Sequence, residues 1–477
     1  MSVFPNTPAG QLMARFFDAF NRGDVQFVHD FVAAHYADPL ADPGPQEDQA
    51  VWNSLDYTTS LVMALEHDPS CGLQFHSIER DKPDEVAVLV QCGLAGEWVF
   101  IKMRTALDEP THLIELRTRP ALMPPNASHD QAPTETELTA DLDRFLTPLC
   151  DADIFAGVAL VAKNGERIYE RAFGLASREF DVPNWIDTKF NVGSLNKMFT
   201  GVGIAQLVER GMLSHEDTLA QRLPEFPHPA ADRITLHHLL THLSGIGSYW
   251  NERYEANRAR IRTVSDFLAL FSDQPPVYQP DERWYYSNGG YVILGAIIER
   301  VTGQDYYDFM RESVYYPAGM EHTDAYEVDR PIPNLAVGYT HINYAGLREL
   351  GEVRNNLFIH VIKGGPGGGG FSTAEDLLRF DQALRNNILL DANSTERLLN
   401  GKVEVRGPTV KYAYGFYDRL INGQRVVGHH GNFPGLGPQF DMYLDSGYTV
   451  VILTNSDPAV SQIVADHLRD LLTRKEV

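Results

Sequence analysis

The hydrophobic positions along this chain change period as the sequence runs. Leu12, Met13, Phe16, Phe17 and Phe20 recur every three or four residues, the spacing of one helix face, and Gly23 stands where that helix would end. Phe27, Val28, Phe31 and Val32 predict a second helix, and a third runs from about residue 48 to 66. The pattern then turns to alternation and β-rich runs over 72–79, 84–92, 97–105 and 111–118, with turn residues at 81–84 and 108–110. Helices followed by an antiparallel meander predict a small curved sheet with helices on one face, an α+β unit over residues 1–121. Residues 122–135 carry Pro124, Pro125 and Pro133 among polar side chains, which is linker composition. A second unit, 136–477, begins with an amphipathic helix near 135–149. Strands follow at 154–163 and 166–174, joined by a turn at Asn164-Gly165, and the chain closes on a helix at about 460–473.

Composition narrows the partners more than the fold. Hydrophobic residues make up 43% and charged residues 22%, ordinary for a globular protein, and the formal net charge is −24. That charge argues against nucleic acid or an anionic membrane surface as a partner. Three scattered cysteines, Cys71, Cys92 and Cys150, make neither a disulfide framework nor a zinc site. No apolar run is long enough to span a bilayer and no leader pattern stands at the N-terminus, so a cytoplasmic location is expected.

The candidate chemistry begins at Gly193-Ser194-Leu195-Asn196-Lys197, at the head of a helical stretch. Ser-x-x-Lys on a helix puts the two side chains on one face, where an amine can reach a hydroxyl. A serine hydroxyl attacks a carbonyl only once a base takes its proton. Free N–H groups at a helix start can steady a developing oxyanion. Alone the pattern is weak, and a capping serine beside a surface lysine explains most chance occurrences. Support comes downstream, from Tyr286-Ser287-Asn288 just before a helix pattern and from Gly428-His429-His430-Gly431 in a glycine- and proline-rich strand region.

In that order these motifs resemble the serine β-lactamase and penicillin-binding-protein superfamily, particularly its class C β-lactamase-like branch, which includes esterases and D-aminopeptidases. The segments 234–246, 369–377 and 449–455 add to the resemblance, which covers about residues 136–475. It implies a β-lactamase-like transpeptidase fold: an antiparallel sheet from both ends of the unit, flanked by helices, with a mainly helical insertion at about 200–370. It implies Ser194 as nucleophile, with Lys197 and Tyr286 sharing the proton traffic and a phenolate favoured beside the ammonium. Asn288 would orient Lys197 and bind substrate, and the backbone N–H groups of Ser194 and Asn432 would form the oxyanion hole. His429 and Gly431 would line the substrate side. His429 stands where β-lactamases carry lysine, which puts carboxylate recognition in doubt. The implied function is acyl transfer to water from a small ester, with a D-amino-acid amidase or β-lactamase as alternatives, and a catalytically idle binding or sensor protein as the alternative of another class. No cofactor and no metal is implied. Residues 1–121 resemble NTF2-like (SnoaL-like) domains, which implies self-association through that unit.

Other patterns carry less. His238 and His242 are spaced like two metal ligands, but Leu239 stands where a metalloprotease needs glutamate, so structural histidines are expected. The run 363–370 lacks the Gly-Lys-Ser/Thr ending of a phosphate loop and is expected to be a close-packed loop near the site. Ser244 is not in a Gly-x-Ser-x-Gly elbow. His29, His35, His67 and His76 are scattered and expected to be solvated or in the core.

Overall fold

The computed structural model describes residues 3–36, 58–106, 108, 112–124, 131–341, 352–405 and 407–474. Helix α1 (Pro8–Asn21) starts where Thr7 accepts the Gly10 amide, with proline at the helix start where its missing N–H costs nothing. It is followed by α2 (Val25–Tyr36) and by α3 (58–67); the part of the third helix expected over 48–57 lies outside the described residues. Four strands, β1 (Leu73–Asp81), β2 (Glu85–Cys92), β3 (Trp98–Thr105) and β4 (Leu113–Pro120), form an antiparallel meander in chain order.

Helix α4 (Glu135–Asp151) opens on a reciprocal capping box between Thr134 and Glu137. After it come β5 (Gly157–Lys163), β6 (Glu166–Phe173) and β7 (Phe190–Gly193), then α5 (Asn196–Glu209) and, within a mainly helical stretch, α6 (Asn288–Thr302). The chain returns through β8 (Gly370–Ser372), which pairs antiparallel with β7, and α7 (Ala374–Arg385). Strands β9 (Val403–Glu404), β10 (Val410–Tyr412), β11 (Tyr417–Ile421), β12 (Gln424–His430), β13 (Gln439–Tyr443) and β14 (Tyr448–Thr454) precede the last helix, α8 (Ala459–Leu472). The eight-stranded sheet runs β9-β10-β11-β12-β13-β14-β5-β6, antiparallel throughout, so strands from both ends of the unit are joined where β14 pairs with β5. This is the β-lactamase and transpeptidase-like fold that the motifs imply.

The central strands are buried on both faces, and their period of two divides them between two cores. Val158, Leu160 and Ala162 of β5 and Val451 and Leu453 of β14 face the helical insertion and α5. Ala159, Val161, Val450 and Ile452 face the other way, into a core built with α4 and α8. That second core is continuous with Met13, Phe16, Phe20, Val88 and Ile101 of the first 120 residues, and α8 packs against β4. Helix α5 threads the first core and is buried on nearly every side from Asn196 to Leu207, as expected of a helix with no polar face.

One buried ion pair ties α8 to the sheet. Arg469, 3% exposed, donates through Nε to Asp441 (2.7 Å) and through Nη1 to Asp466 (2.7 Å). Arg469→Ala would leave Asp441 buried with only Arg419, at 3.4 Å, as a charged partner. We expect that variant to lose about 3–5 kcal/mol of stability, measured by urea or thermal unfolding. A loss below about 1 kcal/mol would show that water replaces the guanidinium.

Candidate functional site

Ser194 sits at the junction of a strand and a helix. β7 ends at Gly193, whose φ of +47° turns the chain sharply; a Cβ there would also press on Leu436 at 3.0 Å. Ser194 therefore lies just ahead of α5 rather than within it. The amide of Lys197 donates to the Ser194 carbonyl at 3.0 Å, a tight turn that stacks residue 197 over residue 194. The sequence expectation of one shared face is met through this turn.

Lys197 is fully buried, and its Nζ is surrounded by neutral oxygens: Ser194 Oγ at 3.2 Å, Asn288 Oδ1 at 2.7 Å and the Gly367 carbonyl at 2.5 Å. The rings of Tyr286 and Tyr291 lie 4.6 and 5.5 Å from the nitrogen. Ring faces favour an ammonium, but among the described residues no carboxylate pairs with it, and burial prevails, pushing the lysine well below its ordinary pKa. A neutral amine has two protons and one lone pair. The Asn288 and Gly367 oxygens can only accept, so they take both protons and the lone pair points at the Ser194 hydroxyl.

Tyr286 is hydrogen-bonded to Ser194 from its other side. Burial, then the neighbouring Tyr417, pushes its phenol well above the ordinary range, against the partial lowering by Ser194. Burial thus weighs against both charged forms, the ammonium and the phenolate that the resemblance implies. Asn288 begins α6, and its Nδ2 donates to Ser248 Oγ at 3.5 Å. Helix α6 is capped by Ser287, which accepts the Gly290 amide at 2.9 Å and donates to the Gly247 carbonyl at 3.0 Å.

Ser194, Tyr286, Asn288 and Asn432 all open onto one cavity of about 360 Å3. The amide nitrogen of Asn432 lies 4.0 Å from where a Cβ on Gly193 would stand, next to the peptide that carries the Ser194 amide. His429 and Gly431 are corrections. His429 is 1% exposed and sits behind Tyr286, with ring centroids 6.3 Å apart, not in the cavity lining. Its Nε2 meets the Tyr412 hydroxyl at 3.1 Å, and burial pushes the imidazole well below its ordinary pKa. Gly431 is buried because its amide donates to the Pro438 carbonyl at 2.8 Å, and a Cβ would strike Pro438 at 2.6 Å. It is a packing position.

Sequence reasoning missed the Gly367 carbonyl, which carries no side-chain signature, although the glycine run 363–370 does lie beside the site as expected. It also missed Ser248 and Phe433; the aromatic stretch 249–254, which the sequence leaves open between a pocket cover and ordinary loop packing, supplies Tyr249, Trp250 and Tyr254 to the same cavity lining. Among the described residues lining the cavity none is Lys, Arg, Asp or Glu, and burial pushes His360 down to about 4, so the walls are uncharged. His238 and His242 both use Nδ1 on backbone amides, of Thr235 (3.3 Å) and Ser287 (3.0 Å). Among the described residues no helix is long and apolar enough to cross a membrane.

A serine beside a buried amine and a phenol, between a sheet and a helical lobe, defines a serine hydrolase of the β-lactamase type. Residues 142–474 match the family described as Beta-lactamase, and the chain belongs to that family. It is 31% identical over 316 residues to penicillin-binding protein 4* of Bacillus subtilis (strain 168), covering 64% of this chain and 68% of that protein. It is 29% identical over 385 residues to esterase EstB of Burkholderia gladioli, covering 71% and 95% respectively. Among solved structures, a penicillin binding protein from Bacillus halodurans superposes with a TM-score of 0.60 at 30% identity, covering 66% of this chain and 95% of that one.

The neutral Lys197 amine sets a pH dependence. The lone pair exists only when the amine is deprotonated, so reactivity of Ser194 should fall as pH falls through the Lys197 pKa, which lies well below the ordinary lysine value. We expect the rate of Ser194 labelling by a fluorophosphonate, followed by intact mass, to be already near its plateau at mildly alkaline pH. A rate still climbing through the ordinary lysine range would mean that Lys197 is an ammonium in the resting protein.

Proposed function

We propose that this protein hydrolyses small, uncharged carboxylic esters through an acyl-enzyme on Ser194. The observation that carries the reading is the shell of Lys197, whose two fixed acceptors leave its lone pair for the Ser194 hydroxyl. In acylation Ser194 Oγ forms a bond to the ester carbonyl carbon while its proton passes to Lys197 Nζ. The backbone N–H groups of Ser194 and Asn432 hold the tetrahedral oxyanion. Collapse breaks the bond to the alcohol oxygen, which takes a proton from Tyr286 as Tyr286 is reprotonated from Lys197. In deacylation a water oxygen forms a bond to the acyl carbon as Lys197 takes its proton; the bond from that carbon to Ser194 Oγ then breaks, Lys197 returns the proton to Oγ, and the carboxylic acid leaves.

The substrate side of the reading rests on charge. A β-lactam or a peptide C-terminus carries a carboxylate that needs a cation. The described lining residues include no Lys or Arg, and the neutral His429 lies outside the lining. A neutral imidazole buried behind Tyr286 offers no charge attraction. Similarity to an esterase and to penicillin-binding proteins is compatible with either outcome, and the uncharged walls favour the ester.

Ser194→Ala is expected to stay folded and to lose hydrolysis of p-nitrophenyl butyrate by at least about a thousandfold. On one wild-type preparation, kcat/KM should be far higher for p-nitrophenyl butyrate than for D-alanine p-nitroanilide or nitrocefin. A nitrocefin value equal to the ester value would make the protein a β-lactamase. Absence of turnover and of Ser194 labelling would favour an idle binding protein.

A further inference from the structure

We propose that the preferred esters carry a planar aromatic group, which lies against the ring wall formed by Trp250, Tyr254 and Phe433. This rests on the ester-hydrolase reading and adds the shape of the group beyond the reacting carbonyl. The wall is assembled from separate parts of the chain. Trp250 stacks on Tyr249 (5.9 Å, 12°) and meets Tyr254 at 5.1 Å, both in the helical insertion. It also meets Phe433 at 4.9 Å and 42°, from the segment that leaves the sheet after β12. Tyr249 and Tyr254 are 6% and 3% exposed, whereas Trp250 is 44% exposed, so an open indole is braced by buried rings.

All these rings line the cavity that holds Ser194. Phe433 follows Asn432 directly, so the wall begins one residue from an oxyanion donor, within reach of a group close to the scissile carbonyl. Braced rings lose little freedom when a ligand arrives, which concentrates binding energy on what fits them. The mutual tilt of Trp250 and Phe433 presents both a face and an edge. A flat ring can meet these with opposite edge and face, whereas a saturated ring of equal size gains only buried area. The described lining residues carry no Lys, Arg, Asp or Glu, which favours ring contact over ionic recognition as the basis of selection.

The test uses the full-length protein and size-matched ester pairs without a chromogenic leaving group, followed by proton release. Ethyl phenylacetate against ethyl cyclohexylacetate probes the acyl side, and benzyl acetate against cyclohexylmethyl acetate the alcohol side. The flat ring should win by about tenfold in kcat/KM in at least one pair. That ratio should shrink towards unity in Trp250→Leu, with Phe433→Leu carried in parallel in case one variant fails to fold. Equal rates within both wild-type pairs, or a preference that survives both variants, would overturn the proposal. Tryptophan quenching of Ser194→Ala by ethyl phenylacetate and ethyl cyclohexylacetate reads the same preference as binding. Failure of ester turnover would therefore fail the hydrolytic reading separately, and the binding ratio would still decide this one.

A different observation assigns His242 as a positioning residue for Tyr286. The amides on both sides of that tyrosine end on His242: Tyr285 N–H donates to its carbonyl at 3.0 Å and Ser287 N–H to its Nδ1 at 3.0 Å. The Tyr278 hydroxyl donates to the same carbonyl at 3.1 Å. His242 itself is fully buried with φ +64°, a conformation that few residues other than glycine, asparagine and aspartate accept readily. Its ring lies 4.4 Å from that of Tyr286, so backbone and side chain of the phenol are held by one residue.

Asparagine provides the discriminating variant. Its Oδ1 stands at the same bond separation as Nδ1, can accept from Ser287, and tolerates positive φ. His242→Ala should lower kcat for p-nitrophenyl butyrate by about tenfold or more with KM nearly unchanged, and His242→Asn should recover most of that loss. His242→Gln, whose acceptor is one carbon too far, should resemble the alanine variant and serves if alanine unfolds the protein. Equal kcat for the asparagine and glutamine variants, or an effect confined to KM, would overturn the assignment.

Discussion

The burial of one amine organises this site. Among the described residues Lys197 has no carboxylate partner, and its proton affinity is set by exclusion from water and by oxygens that can only accept. Removing water disfavours the ammonium, and the fixed acceptors decide which way the remaining lone pair faces. Ser194, Tyr286 and Asn288 each gain their place in the arrangement from contact with that nitrogen or with one another. The same desolvation keeps His429 and His242 neutral behind Tyr286, so no second charge competes inside the site.

The fold supplies the exclusion of water. Helix α5 runs through the middle of a core with no solvent face, and the nitrogen of its second residue is covered by the glycine run before β8 and by the start of α6. Those pieces come from distant parts of the chain, joined by the β7–β8 pair and the eight-stranded sheet. The other face of the sheet packs against α8, and there the core continues into the first 120 residues. The rigidity of the nucleophile's turn thus draws on packing on both faces of β5 and β14.

Much of this was legible in the sequence, for reasons that can be named. Ser194 and Lys197 are three apart, Tyr286 and Asn288 flank a helix cap, and side-chain identity at those positions is the chemistry itself. The helix and strand patterns gave α1, β1 to β4 and α8 to within a few residues because each has one clear apolar face. What was hidden lies in backbone and depth. The Gly367 carbonyl has no residue signature, and the inward position of His429 depends on Tyr412, which nothing local to His429 announces. The weight of burial against a phenolate was not legible, because spacing conveys proximity of charges but not their desolvation. A proline-bearing stretch at 122–135 marks a change in composition, yet periodicity could not reveal that β4 would pack on α8. The aromatic stretch 249–254 was legible as a candidate pocket cover, but its closure by Phe433 was out of reach, since Trp250 and Phe433 meet only in three dimensions.

The central claim is that Lys197 rests as a neutral amine aimed at Ser194. Its protonation can be read directly from the Nζ resonance in lysine-labelled full-length protein, assigned by comparison with Lys197→Arg and followed across pH. The account predicts that at pH near 8 this one signal already has the shift of a free amine while the surface lysines remain ammonium. An Nζ that stays protonated alongside the surface lysines up to their own titration would contradict it.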